Sequence, residues 1–324
     1  METTPKPLEK NLIEVKNVTK IFDSPAMSAP FTALGGISCA IRPGSVYGLV
    51  GANGAGKSTL LRLIAGVYRP DGGEVTVGGE PVYDNPAVKE KIVFVPDELY
   101  FLPQATLNRM AKSTASLRPS FNRERFDQLI AAFGLDPTAG IAGFSKGMKR
   151  QAATALALAC MPEILIFDET FDGLDPVMRE VVRRVLYADV AERGMTVLIS
   201  SHSLRELEDT CDRLALLHRG GVVFETDMDD LKTSLFKVQI AFSEPFGEEK
   251  FTAAGLSPLS YTPAGSVASF LLRGDRAQAE ETLRAMGPVL FDVLPLTLEE
   301  VFIYEAAALG YTVAEVLDRA EPEK

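Results

Sequence analysis

Nine residues, Gly51-Ala52-Asn53-Gly54-Ala55-Gly56-Lys57-Ser58-Thr59, have the types and the spacing for phosphate chemistry. They meet the pattern G-x-x-x-x-G-K-[ST] with Gly51, Gly56, Lys57 and Ser58. Glycines let the backbone curl, so that successive N–H groups along Asn53, Gly54, Ala55 and Gly56 point inward and cradle phosphate oxygens. The helix expected to follow the loop adds the positive end of its dipole. Lys57 would reach the β/γ-phosphates, and the Ser58 hydroxyl would ligate Mg²⁺. A glycine-rich turn without a ligand has no need of Lys57, Ser58 and Thr59 at a helix start. Nucleotide binding is therefore the expected chemistry.

A second group fits the first. Ile164-Leu165-Ile166-Phe167-Asp168-Glu169 is an apolar run ending in two carboxylates. Asp168 would hold Mg²⁺, directly or through water, opposite Ser58. Glu169 could polarise an attacking water as a general base. Ser145 sits where a helix N-cap should be, ahead of an alanine-rich helix running to Cys160, and a capped helix N-terminus is a second anion site.

These groups need particular elements to hold them. Val46-Tyr47-Gly48-Leu49-Val50 reads as a buried strand before the loop, and Leu60-Leu61-Arg62-Leu63-Ile64-Ala65 as the helix after it. Ahead of them, Ile13–Val15, Lys20–Phe22 and Ile37–Ile41 read as short strands. Gly73–Gly79 is a strand with a turn, and Ile92–Val95 a buried strand. From about 104 to 160 the pattern turns helical, with Phe126, Leu129, Ile130 and Phe133 on one face and Gly134 as a stop. The runs Ile164–Phe167 and Thr196–Ser200 flank a helix that Asp175-Pro176 opens and Gly194 closes. Such alternation implies a mainly parallel sheet covered by helices. Leu214–Leu217 and Val222–Phe224 read as a hairpin about Gly220-Gly221, with a short helix near 228–235. Beyond 236 the composition shifts. Strands at Lys237–Phe242, Ser266–Leu272 and Val289–Leu294, a helix near 275–286, and a capping box at Thr297 and Glu300 predict a small α+β appendage.

The chain has 324 residues, 46% of them hydrophobic, with 44 acidic against 33 basic residues and a formal charge of −11. That acidity weighs against nucleic acid as a partner, because such binding neutralises many phosphates. Cys39, Cys160 and Cys211 show no metal-binding spacing and read as buried thiols of a reducing compartment. The first residues lack the apolar stretch of a secretory signal. The most apolar segment, Ala152–Phe167, is interrupted by Pro162-Glu163 and falls short of the ~20 residues of a membrane span. A soluble, cytoplasmic protein is expected.

Phe144-Ser145-Lys146-Gly147-Met148-Lys149-Arg150-Gln151 resembles the L-S-G-G-Q signature of ATP-binding cassette (ABC) transporter subunits and lies, as in that family, between the phosphate loop and the paired carboxylates. Phe144, Lys146 and Met148 depart from the commonest letters, while the Ser145 hydroxyl and the Gly147 N–H are retained. The resemblance covers roughly residues 12–230. It implies a P-loop NTPase of the ABC cassette type, an α/β fold with a mainly parallel sheet core, an N-terminal antiparallel β subdomain and a helical signature subdomain over about 104–160. The cassette would span 1–235 and an accessory α+β domain 236–324.

By the same resemblance, Gly173-Leu174-Asp175-Pro176 is the D-loop, with Asp175 across a dimer seam, and His202 contacts the γ-phosphate. Ser203 and Glu206 would cap the helix after His202. Asp97 stands where the family has a Gln that senses Mg²⁺ and the transmembrane partner. Phe22 matches an adenine-stacking aromatic, or is a core strand residue. The implied protein binds ATP and Mg²⁺, pairs with a second ATP-binding subunit (a homodimer or a heterodimer) and works on the cytoplasmic face of the membrane with an integral membrane permease. Its ending, Leu296-Thr297-Leu298-Glu299-Glu300-Val301-Phe302, is similar to tails of bacterial exporter ATPases, so export is the expected direction. The alternatives are a non-transport ABC ATPase and a subunit in which nucleotide only regulates an assembly. A kinase or GTPase would not account for Phe144–Gln151 together with His202.

Overall fold

A computed structural model describes residues 11–23, 30–230, 235–294, 296–308 and 311. The described residues fall into two compact units that divide between Glu225 and Thr226, ahead of the composition shift at 236. Among them the strands form three sheets.

The first unit begins with β1 (Ile13–Phe22) and β2 (Phe31–Ile41). β1 is one strand where two short ones were expected. Asn17, at φ 48°, makes a bulge between Val15 and Val18, and its N–H donates to Ser38 Oγ at 2.8 Å. The bulge keeps Ile13, Val15 and Val18 in the core although they break strict alternation. With β4 (Gly72–Val77) and β5 (Glu80–Pro81) these strands form an antiparallel sheet ordered β2-β1-β4-β5.

The second sheet holds β3 (Val46–Val50), β6 (Ile92–Val95), β7 (Ile164–Asp168), β8 (Thr196–Ser201), β9 (Arg213–His218) and β10 (Gly221–Asp227), ordered β10-β9-β3-β8-β7-β6. β3 pairs parallel with β8 and β9, and β7 parallel with β6 and β8. Every residue of β3, β7 and β8 is buried, which is why Val46–Val50, Ile164–Phe167 and Val197–Ile199 read as unbroken apolar runs. The register matters for chemistry. Val50 faces Ser201 and Asp168 faces Ser200, so the residues that follow, Gly51, Glu169 and His202, emerge at the same end of the sheet. Ligands of parallel sheets bind outside this carboxyl end.

Helices α1 (Lys57–Ile64) and α2 (Pro86–Glu90) precede the helical segment α3 (Leu107–Leu117), α4 (Arg123–Ala132) and α5 (Lys146–Ala159). Thr106, Asn122 and Ser145 cap α3, α4 and α5 with their side chains. α6 (Pro176–Arg193) opens at the Asp175 cap and closes on Gly194 at φ 67°, as Asp-Pro and Gly predict. The short α7 (Leu204–Glu208) differs from expectation, because Ser203 makes no side-chain cap. Ser201 Oγ instead donates to Glu206 Oε2 at 2.8 Å and accepts from the Ser203 N–H at 2.9 Å.

The second unit runs β11 (Leu235–Ala241), α8 (Glu249–Ala253), β12 (Ser260–Ala264), β13 (Val267–Arg273), α9 (Arg276–Ala285), β14 (Leu290–Leu294) and α10 (Leu298–Ala308). Its antiparallel sheet is ordered β12-β13-β11-β14. This β-α-β-β-α-β arrangement is the split βαβ, ferredoxin-like motif. Phe236, Val238, Ile240, Phe251, Phe270 and Leu283 form its core, with the Phe251 and Phe270 rings 4.4 Å apart. The helix expected near 228–235 extends partly outside the described residues. No helix among the described residues is long and apolar enough to cross a membrane. Cys39, Cys160 and Cys211 are buried free thiols. Burial pushes Cys39 up to about 12 and Cys160 to about 11.

Candidate active site

The phosphate loop follows β3 and ends at α1, whose N-cap is Gly56 at φ 106°. A side chain at Gly56 would be strained there, and its Cβ would meet Leu34 Cδ2 at 2.7 Å and the Ala33 carbonyl oxygen at 2.9 Å. Glycine is thus required by conformation and by space. A cavity of about 170 Å³ opens against the loop, lined by Phe31, Ala33, Asn53, Gly54, Ala55, Gly56, Lys57, Ser58, Thr59 and Glu169. Lys57 is 4% exposed, and its ammonium donates to the carbonyl oxygens of Gly51 at 2.6 Å and Ala52 at 3.2 Å. The cation is thereby held over the loop.

Two carboxylates stand opposite. Glu169 Oε1 lies 3.6 Å from Lys57 Nζ and Oε2 lies 3.9 Å from His202 Nδ1. Asp168 is fully buried, and its Oδ1 accepts from Ser58 Oγ at 2.9 Å and from Ser200 Oγ at 2.8 Å. Its Oδ2 is buried without a hydrogen bond, with Arg62 Nη2 at 4.0 Å. An orphaned carboxylate oxygen beside a serine hydroxyl suits a hard, oxygen-seeking divalent cation such as Mg²⁺.

Glu169 holds a left-handed backbone at φ 50°, which costs on the order of 1–3 kcal/mol for a residue other than glycine. Its N–H donates to both the carbonyl and the Oγ of Ser200, each at 3.1 Å. Its carbonyl oxygen accepts a short hydrogen bond from Arg150 Nη1. The Glu169 backbone is clamped on both sides, and these bonds hold the strained conformation from which its side chain projects.

The other expected residues lie elsewhere. Ser145 caps α5 by accepting from the Met148 N–H at 3.2 Å, and neither Ser145 nor Gly147 lines the cavity of its own chain. Gly147 instead packs on the D-loop, where a Cβ would stand 2.9 Å from the Gly173 carbonyl oxygen. Asp175 accepts from the Met178 N–H at 2.9 Å. Asp97 does not line the cavity; its carboxylate accepts from Arg150 Nη2 at 2.7 Å. Phe22 packs edge-on against Tyr68, with centroids 5.4 Å apart. Phe31, paired with Phe22 across β1 and β2, is the aromatic that lines the cavity.

Sequence reasoning passed over Phe31, Arg150 and Ser200. The strand expected over Ile37–Ile41 begins six residues earlier, at Phe31, and its register brings that ring to the loop. Nothing in the local pattern marks Arg150 or Ser200, because their partners lie 19 to 53 and 32 positions away.

The ABC transporter family model matches residues 34–172. The chain is similar to the ABC transporter ATP-binding protein YtrB of Bacillus subtilis (strain 168), at 29% identity over 90% of this chain and 97% of that protein. It is 32% identical to the linearmycin resistance ATP-binding protein LnrL of the same organism, over 69% of this chain and 72% of that one. A methionine import ATP-binding protein of Enterococcus faecalis is 30% identical over 82% of this chain and 81% of its own length. A solved dimeric ATP-binding cassette in a post-hydrolysis state with ADP and phosphate superposes with a TM-score of 0.60 at 25% identity, covering 67% of this chain and 98% of that one.

Proposed function

This chain belongs to the ABC transporter ATP-binding proteins, and on that premise we propose that it powers export through a separate membrane permease, with the residue roles that follow. The observation that carries these roles is the Glu169 carboxylate between Lys57 and His202 at the mouth of the phosphate loop. ATP lays its phosphates along the N–H groups of Asn53 to Thr59, with Lys57 at the β/γ-phosphates. Phe31 stacks on the adenine. Ser58 and Asp168 hold Mg²⁺, which when bound neutralises phosphate charge. Glu169 orients the attacking water and accepts its proton, while His202 and Lys57 stabilise charge that grows on the γ-phosphoryl oxygens.

Two chains close head to tail, so that Ser145, Gly147 and Asp175 of one complete the site of the other. The position of α5's capped N-terminus away from its own cavity supports this, as does the dimeric state of the similar cassette. Permease docking is supported by an apolar groove of about 390 Å³ bordered by Phe94, Leu99, Tyr100, Phe101, Leu117 and Leu156, where Tyr100 and Leu117 are each 78% exposed. Export is supported by similarity to a protein named for linearmycin resistance.

Glu169→Gln tests the reading. Turnover should vanish while ATP binding persists and MgATP traps a dimer; hydrolysis at the native rate would refute the assignment. The permease is identified by gentle detergent purification of the chain from its own cells. Direction is then read in inside-out vesicles of those cells, where export is ATP-driven accumulation and import is ATP-driven loss.

A further inference from the structure

Arg150 is among the largest fully buried side chains of the molecule, 2% exposed, and it does not line the cavity at the phosphate loop. Its guanidinium works as a fork. Nη2 donates to Asp97 Oδ1 at 2.7 Å and Nη1 donates to the carbonyl of Glu169. The remaining edge lies against the D-loop, where a Cβ on Gly173 would stand 2.5 Å from Arg150 Nε and 2.6 Å from Cδ. One cation therefore touches three loops: the segment after β6, the end of β7 and the turn before α6.

The loop carrying Asp97 is also the rim of the apolar groove. Pro96 and Glu98 line that groove on either side of Asp97, and Ala153 and Leu156 of α5 line it about one and two turns beyond Arg150. Anything that shifts this loop must move Asp97, and the Asp97 carboxylate is bonded to the group that holds Glu169's strained peptide. An Arg can serve both acceptors because its planar fork presents parallel donors; a Lys ammonium is a point charge and cannot hold the same geometry.

We propose that Arg150 is a positioning residue, and that the Asp97–Arg150–Glu169 linkage makes the aim of the Glu169 carboxylate depend on the loop at the groove. Asp97 then acts through Arg150 rather than on the metal. The proposal rests on the role given to Glu169 above.

The test is steady-state MgATP hydrolysis by the full chain in four forms: native, Asp97→Asn, Arg150→Gln and the double variant. Each single change should lower kcat about 10-fold through misaim of Glu169, with KM for ATP nearly unchanged. The double variant should be no slower than the slower single, since both cut the same linkage. Asp97→Glu should retain most of kcat, and Arg150→Lys should fall as far as Arg150→Gln. Multiplying losses in the double variant, or a rise in KM at constant kcat, would overturn the linkage. If Arg150→Gln fails to fold, Asp97→Asn decides alone, because Asp97 is 46% exposed and its change opens no core; native kcat there sinks the proposal. Glu169→Gln, run beside them, separates the two levels: if it hydrolyses normally, the active-site reading has failed, and if it is dead while Asp97→Asn is native, only the linkage has.

Discussion

Glu169 and His202 meet across the ends of two neighbouring parallel strands, with Glu169 Oε2 3.9 Å from His202 Nδ1. The pairing of Asp168 with Ser200 sets this distance, since Glu169 follows Asp168 directly and His202 lies two residues past Ser200. His202 is 55% exposed, so it is placed by the backbone and not by packing. His202→Ala should therefore leave the fold intact and lower kcat by about 100-fold, the usual scale for a residue that stabilises or relays charge in the transition state. ATP affinity should stay within a few-fold. Equilibrium nucleotide binding and single-turnover hydrolysis on the same sample check both halves; a large loss of affinity with intact chemistry would make His202 a binding residue only.

The two aromatics of the first sheet can be told apart. Phe31 is 46% exposed and lines the loop cavity, whereas Phe22 leans on Tyr68 and has Lys20 Nζ 5.5 Å from its ring. Phe31→Ala should weaken ATP binding by about 2- to 13-fold, the range for losing an aromatic stacking partner worth ~0.5–1.5 kcal/mol, with little change in melting temperature. Phe22→Ala should lower the melting temperature and leave ATP affinity near native. Titration with a fluorescent ATP analogue, paired with thermal melts, distinguishes them. The reverse pattern would return the stacking role to Phe22.

The phosphate loop, the Asp168-Glu169 pair, the Ser145 and Asp175 caps and the buried strands were legible because each is written in consecutive residues. A run such as Ile164–Phe167 shows its burial directly, and a cap shows its helix. What escaped reading is set by register. The Asn17 bulge joins two apparent strands into one, and nothing near Asn17 announces it except a residue type tolerant of positive φ. The ferredoxin-like order of the second unit needs β12, whose Ser260–Ala264 carries no apolar alternation. Arg150 looks like one more polar helix residue until α5 is laid against β6 and Asp97, just past that strand, is found at the guanidinium. Ser203 shows the converse. Its local pattern promised a cap, and the Ser201 hydroxyl took the Glu206 carboxylate instead.

Gly147 offers a test of the contact between α5 and the D-loop. A methyl group there would stand 2.9 Å from the Gly173 carbonyl oxygen, closer than real Cβ contacts allow, so helix and turn must part. Gly147→Ala should cost about 1–3 kcal/mol, as overpacking does, and should reduce MgATP-dependent dimer formation in a Glu169→Gln background. Gly143→Ala, where nothing lies within 4 Å, is the matched control and should change neither quantity. Denaturant melts and size-exclusion chromatography with light scattering provide the readouts. Equal behaviour of the two variants would mean that the close approach at Gly147 has no energetic weight.

The second unit has its own titrating brace. Thr297 and Glu300 cap α10 reciprocally: the Glu300 N–H donates to Thr297 Oγ1 at 3.2 Å, and the Thr297 N–H donates to Glu300 Oε2 at 3.0 Å. Lys237 Nζ on β11 donates to Glu300 Oε1 at 3.1 Å, tying the helix to the sheet. Partial burial would raise the Glu300 carboxyl, but the bonds from Thr297 and Lys237 outweigh it and hold it below its ordinary value. A depressed carboxylate lends stability that is whole above its unfolded value, roughly pH 4–5, and that disappears as pH falls through the folded one. Thr297→Ala should cost about 1 kcal/mol, the usual weight of an N-cap, at pH 7. Glu300→Gln should destabilise α10 at pH 7 and differ progressively less from native as pH drops below about 4, because protonation removes the same charge. Amide hydrogen exchange of Val301 to Glu305 in the full chain reports this locally. A difference between Glu300→Gln and native that stays constant down to pH 3 would show that the charge of Glu300 contributes nothing to holding the helix.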